Sequence, residues 1–178
     1  MAKIELIKHI FLIGLPLVGK SSLGRETASL LNVSFIDLDD EIAAIANSSI
    51  SKIWTEQGET SFRVLERYCL LKAMGKPPSF VVCGGGAPIF MDNMEVINQH
   101  VSIYCHMDID LFKDRNIENR PILGSQISSG ERLKQLESTR ESYYKRALYK
   151  YNCVQGVEQN VHSFILFLNE KGILKNYS

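Results

Sequence analysis

The chain has 178 residues, 45% hydrophobic and 22% charged, with 20 basic side chains balanced by 20 acidic ones. That length suits one domain with a substantial core, and a net charge of zero argues against a broad cationic face for nucleic acid or anionic lipid, so any anion site must be local. No apolar run reaches membrane-spanning length, and Cys69, Cys83, Cys105 and Cys153 form no CxxC pair, which points to reduced, packed thiols in a cytosolic chain whose size and charge permit a monomer.

The opening MAKIELIKHIFLIG lacks a small-residue cleavage site. Its apolar part feeds into the next motif, so it reads as the first strand and not as a signal peptide. The chain then turns at Gly14 and spells Gly14-Leu15-Pro16-Leu17-Val18-Gly19-Lys20-Ser21 ahead of a helical pattern. This is G-x-x-x-x-G-K-[ST] in its strand-loop-helix setting, a cradle for nucleotide phosphates. Gly14 and Gly19 let the backbone close on an anion, and the free amides at the helix start point at it. Lys20 brings charge to the outer phosphates, and the Ser21 hydroxyl suits Mg²⁺.

Helix one runs from Gly19 or Lys20 to about Leu31, with Leu23, Thr27, Leu30 and Leu31 facing inward and Asn32 as its stop. Strand two is Ser34 to Asp37, followed by Leu38-Asp39-Asp40. Asp37 and Asp39 stand at a strand's carboxyl end, where ligands of open α/β sheets collect. Two readings of Asp39 stay open on residues alone: a cap of the next helix, or a carboxylate for a metal or an attacking hydroxyl. From Ile42 to Gln57 two short helices break near Asn47-Ser48-Ser49, Gly58 ends the second, and a third runs from Glu59 to about Met74. On it Arg63, on spacing alone, reads as a solvated helix residue.

Pro77-Pro78 stop that helix, and Phe80 to Cys83 is a buried parallel strand running into Gly84-Gly85-Gly86. A tight turn needs one glycine; three imply close approach to the backbone, by a ligand or otherwise. Met91 to Asn98 is helical, Val101 to Tyr104 is strand four, and a helix covers Ile109 to about Asn116. The polar stretch up to Gly130 reads as a lid. Glu131 to about Tyr149 is a long helix, Tyr151 to Gln155 strand five, and Val157 to Glu170 a last amphipathic helix ended by Gly172.

Taken together, GLPLVGKSSLGR, FIDLDDEI, ISKIWTEQGETSFRVLE, VVCGGGA, NRPIL and RESYY resemble the shikimate kinase family, small P-loop kinases of the nucleoside-monophosphate-kinase kind, in order and spacing over about Ile7 to Tyr144. The resemblance implies an α/β fold: five parallel strands with helices on both faces (the P-loop NTPase fold), in one kinase domain over residues 1–178, with a substrate-binding insert over about 37–66 and a lid over about 116–129. It implies ATP-dependent phosphorylation of the 3-hydroxyl of shikimate, on the route to chorismate and the aromatic amino acids.

It also implies roles. Gly14, Pro16, Leu17, Val18, Gly19, Lys20, Ser21 and Ser22 would hold ATP, with Arg115 near the adenine and Arg120 closing from the lid onto the phosphates. Ser21 would ligate Mg²⁺, and Asp37 would meet it through water. Lys20, Asp39 and Arg120 would serve the transfer, Asp39 by binding the 3-hydroxyl as base or orienter. Arg63 and Arg140 would hold the substrate carboxylate and Glu66 would orient Arg63. Trp54 and Phe62 would wall the ring, and Gly84, Gly85 and Gly86 would approach a ring hydroxyl. The chain departs from the family's usual residues at Leu17-Val18, where small residues are common, and at Trp54, where Phe is.

Two alternatives are weighed against this. A gluconate kinase would share the phosphate loop but lacks the combination of Asp37-Asp39, Phe62-Arg63 and Gly84 to Gly86. A non-catalytic binding relative would be expected to lose Lys20, Asp39 or a clamp arginine, and all are present.

Overall fold

The computed structural model describes residues 3–112 and 129–177. At its centre lies β2 (Ile10–Ile13), the run IFLI, buried at all four positions. It is flanked by β4 (Ser79–Val82) and β5 (Val101–His106), with β3 (Ser34–Asp37) and β6 (Tyr149–Asn152) outermost, in the order β3-β4-β2-β5-β6. Every pairing in this sheet is parallel, as expected. Strands this apolar need cover on both faces, which helices supply. The first, α1 (Lys20–Leu31), packs on β4 and on the last, α6 (Val157–Glu170).

Because the strands run one way, their carboxyl ends share one edge. The phosphate loop follows β2, Asp37 closes β3, and Gly84 to Gly86 follow β4. Two helices after β3 overhang that edge: α2 (Leu38–Ala46) and α3 (Ile50–Met74). Gly58 interrupts α3 with φ 81° and ψ 171°, so the expected break falls where the sequence places it. The short α4 (Asn93–Ile97) precedes β5, and α5 (Ser129–Tyr144) leads to β6. All four cysteines are free and buried. Among the described residues no helix is long and apolar enough to cross a membrane.

Four expectations are corrected. The amino-terminal segment is not one strand: β1 (Lys3–Glu5) pairs antiparallel with β7 (Lys175–Tyr177) in a separate two-stranded sheet, and Ile7 between β1 and β2 is exposed. Leu30 does not face inward; it is 69% exposed, and Gly24 and Ala28 take the buried stripe with Leu23 and Thr27. Gly24 lies there because a Cβ would come within 3.0 Å of the Phe35 ring. The helix expected to reach Tyr149 ends at Tyr144, and the outer strand is Tyr149–Asn152 rather than 151–155. Pairing decides this register: Tyr151 lies opposite Cys105 on β5, and the Leu148 N–H donates to Ser102 Oγ at 2.9 Å. Of the helix expected over 109–116, the described part is a single 3-10 turn, Ile109–Leu111.

Candidate active site

The phosphate loop has the backbone its glycines foretell. Gly14 has φ 139°, and a Cβ there would collide with the Cys105 carbonyl oxygen. Gly19 has φ 100° and begins α1 without a side-chain cap, leaving the first-turn amides to the loop. Leu17 also takes a positive φ, 67°, an uncommon state for a residue with a Cβ. Lys20 is buried, and its Nζ donates to the carbonyls of Gly14 at 3.0 Å and Leu15 at 2.7 Å. The lysine thus braces the loop from inside, with its charge at the loop's centre.

Asp37 caps α2: its Oδ1 accepts from the Asp39 N–H at 3.0 Å. The capping role considered for Asp39 therefore belongs to Asp37. The turn leaves Asp39 on the wall of two cavities. The larger, of about 380 Å³, is lined by Pro16, Ser21, Asp37, Asp39, Trp54, Phe62, Arg63, Glu66, Gly84 to Gly86 and Arg140. A second, of about 260 Å³, is lined by Leu17, Gly19, Lys20, Ser21, Ser22 and Asp37 with Asp39 and Gly84. The two meet at Ser21, Asp37, Asp39 and Gly84. One is a phosphate-sized cradle; the other matches a small ligand pocket.

The larger cavity is cationic at its far wall. Arg63 is no solvated helix residue but is 7% exposed. Its Nη1 pairs with Glu66 Oε2 at 2.7 Å and its Nη2 with Glu59 Oε1 at 3.3 Å. The guanidinium also lies 5.2 Å from the Phe62 ring centre and 5.6 Å from that of Trp54. Arg140 is equally buried, and its Nη1 has no hydrogen-bond partner among the described residues. A buried guanidinium edge with no acceptor is costly, and a carboxylate in this cavity would satisfy it with planar, paired hydrogen bonds. Glu66 is fully buried with Oε1 also unpartnered. Burial pushes its carboxyl up to about 7, outweighing the opposing pull of Arg63.

The glycine triplet packs against these groups. A Cβ on Gly86 would strike the Arg63 guanidinium, one on Gly84 would meet Glu66 Oε1 at 2.6 Å, and one on Gly85 would meet Pro16 Cδ at 3.0 Å. The close approach read from three glycines is thus made first by the chain's own side chains, which the backbone admits to the cavity wall.

Several placements differ from, or add to, the sequence reading. Pro16, expected among nucleotide contacts, lines the larger cavity. Val18 lines neither of these two cavities but a third, of about 290 Å³, beside Gly19, Ser22 and Met107. Arg25, Asp40 and Ile50 also line the larger cavity; nothing in local sequence pattern marks them. Tyr144 was also missed. Its hydroxyl donates to the Gly85 carbonyl at 2.5 Å, and burial pushes it up to about 12, keeping it a donor. Its signal was available: it stands one helical turn beyond Arg140 on the same face. Arg115, Arg120 and the lid expected over about 116–129 lie outside the described residues, save Ser129, which begins α5.

Among the described residues no group of three or more His, Cys, Asp or Glu could cage a metal. The oxygen donors Ser21 and Asp37 at the cavity junction nonetheless fit a hard divalent cation that takes its remaining ligands from phosphate and water.

Comparison with known proteins agrees with this geometry. The family model described as shikimate kinase matches residues 16–167. A shikimate kinase of Parabacteroides distasonis is 34% identical over 167 residues, 88% of this chain and 94% of that protein. One of Caulobacter vibrioides is 40% identical over 119 residues, 65% of this chain but only 60% of the relative's length. Among solved structures, a shikimate kinase from Acinetobacter baumannii in complex with shikimate superposes with TM-score 0.85 at 28% identity, covering 94% of this chain and 96% of that one.

Proposed function

The chain belongs to the shikimate kinase family, and on that premise we propose that it transfers the γ-phosphoryl group of ATP to the 3-hydroxyl of shikimate. The observation that carries this reading is the meeting of a cationic cavity and a phosphate cradle at Asp39. Shikimate is a small carboxylate bearing three hydroxyls. Its carboxylate would pair with Arg63 and the open edge of Arg140, with the ring between Trp54, Phe62 and Pro16. That orientation aims a hydroxyl at Asp39, which accepts its proton or its hydrogen bond as the oxygen attacks phosphorus. Backbone amides at Gly85 and Gly86 would hold a neighbouring hydroxyl.

On the nucleotide side Lys20 would exchange its loop carbonyls for phosphate oxygens. Ser21 would hold Mg²⁺ directly and Asp37 through water. The ion, when bound, neutralises charge on the phosphate oxygens. Phosphoryl transfer needs little covalent help from protein, so positioning and charge carry most of the rate.

The test is ADP release from purified protein with ATP and Mg²⁺, offering shikimate, gluconate or no acceptor, with phosphorus NMR of the product. Release with shikimate alone and phosphate on the 3-oxygen is the expected result. Release with gluconate alone would discard the roles given to Arg63 and Arg140 and leave a small-molecule kinase of the same fold. ATP binding without release would favour a non-catalytic relative.

A further inference from the structure

The cavity read above as the shikimate site holds a third arginine, which the proposed reaction leaves without a task. Arg25 lines its wall together with Asp40. It stands one helical turn beyond Ser21 on α1, about 6 Å of rise away. Helical side chains lean toward the amino terminus of their helix and cover the turn before their own Cα. The Arg25 side chain is thereby brought back toward Ser21, where the cavity meets the phosphate cradle.

The guanidinium rests on the Phe35 ring, 4.7 Å from the ring centre, and its Nη2 pairs with Asp40 Oδ2 at 3.2 Å. Both side chains of that pair are more than half exposed, 56% and 72%. An exposed pair of this kind holds by a factor of about five at most. Among the described residues Arg25 makes no other hydrogen bond. A ring platform that supports the fork, and a weak partner that uses one nitrogen of it, leave an arginine ready to exchange its carboxylate for a stronger anion.

The reaction creates such an anion at this end of the cavity. Transfer puts a phosphate on the oxygen that Asp39 faces, and Asp37, Asp39 and Asp40 all line the cavity. Lys20 is engaged by the nucleotide, and Arg63 and Arg140 by the carboxylate. We propose that Arg25 is a binding residue for the phosphorylated product. Its guanidinium leaves Asp40 and takes the new phosphate by paired N–H bonds. Asp40, so uncovered, repels that phosphate and limits how tightly the product is held. The unphosphorylated acceptor presents only a hydroxyl there and leaves the Arg25–Asp40 pair closed. This rests on the kinase reading above and adds to it a residue that tells product from substrate.

Calorimetry of shikimate and of shikimate 3-phosphate on the parent chain, on Arg25→Gln, on Asp40→Asn and on the double variant tests this. Both positions are exposed, so the fold should survive each change. On R25Q the phosphorylated product should bind about tenfold more weakly or worse. On D40N it should bind about threefold to fivefold more tightly. Shikimate should bind all four chains alike. The double variant separates contact from net charge, because it carries the parent's charge. A long-range charge effect would restore the parent's affinity, whereas loss of a direct contact should leave the product about fivefold or more weaker. Restored affinity in the double variant would overturn the proposal, as would an equal loss of shikimate and its phosphate on R25Q. Binding of both ligands with no difference among the four chains would sink this proposal alone. Binding of neither ligand to the parent would sink the kinase reading and this proposal with it.

Discussion

Glu66 holds Arg63 in place, yet its own charge is barely tolerated where it sits. Burial raises its carboxyl from an ordinary value near 4.5 to about 7. For an acid so raised, the folded chain keeps a proton that the unfolded chain has already lost. The stability it contributes is therefore full below about pH 4.5 and is lost as pH rises toward about 7. Glu66→Gln stays neutral and should flatten that decline: melting temperatures of parent and variant should converge or cross between those limits, and parallel curves would remove Glu66 as the cause. Asp39 has a different task. Its backbone N–H bonds to Asp37, while its side chain lines both cavities. Asp39→Asn leaves the α2 cap untouched, so the fold should survive while turnover falls by roughly 10²–10⁴-fold, the usual worth of a general base. Circular dichroism beside steady-state kinetics checks both halves, and unchanged turnover would take Asp39 out of the reaction.

Two helices do most of the aiming. In α3 the break at Gly58 serves the cavity wall. Along an unbroken helix Trp54 and Phe62 would be separated by about 12 Å of rise, but across the kink at Gly58, with its φ of 81°, their ring centres lie 5.4 Å apart. In α5, Arg140 and Tyr144 share a face. The Tyr144 hydroxyl fixes the Gly85 carbonyl, and a peptide unit is planar, so the Gly86 N–H is fixed with it. Tyr144→Phe should therefore weaken shikimate binding about fivefold to tenfold and leave ATP binding unchanged, since a neutral hydrogen bond is worth about 1 kcal/mol. Titration of each ligand separately decides it; equal effects on both would make Tyr144 a general structural residue.

Across the whole molecule the sheet's two edges divide the labour. The carboxyl edge carries the cavities, and the amino edge is tied by His9. Its Nδ1 accepts the Ser79 N–H at 3.1 Å and its carbonyl accepts the Val101 N–H at 3.1 Å, joining the starts of β2, β4 and β5. His9→Leu leaves the Ser79 amide buried and unmet, which should cost about 1–3 kcal/mol in urea unfolding without changing kinetic constants where the chain is folded. A change in shikimate or ATP affinity would contradict that separation. The amino-acid order by itself determined the succession of strands and helices, the phosphate loop, the break at Gly58 and the place of Asp37, Asp39 and the glycines at strand ends, while the five-stranded parallel sheet came from the family resemblance. All but the sheet are written in local chemistry: apolar runs, glycines where the backbone must turn, polar groups where strands stop. Only the tertiary structure decided that Arg63 and Arg140 share one cavity wall, that Tyr144 anchors backbone far along the chain, that β1 pairs with β7, and that β6 starts at Tyr149. Those depend on contacts between residues many positions apart, and local propensity carries no record of which distant partner will satisfy a given group.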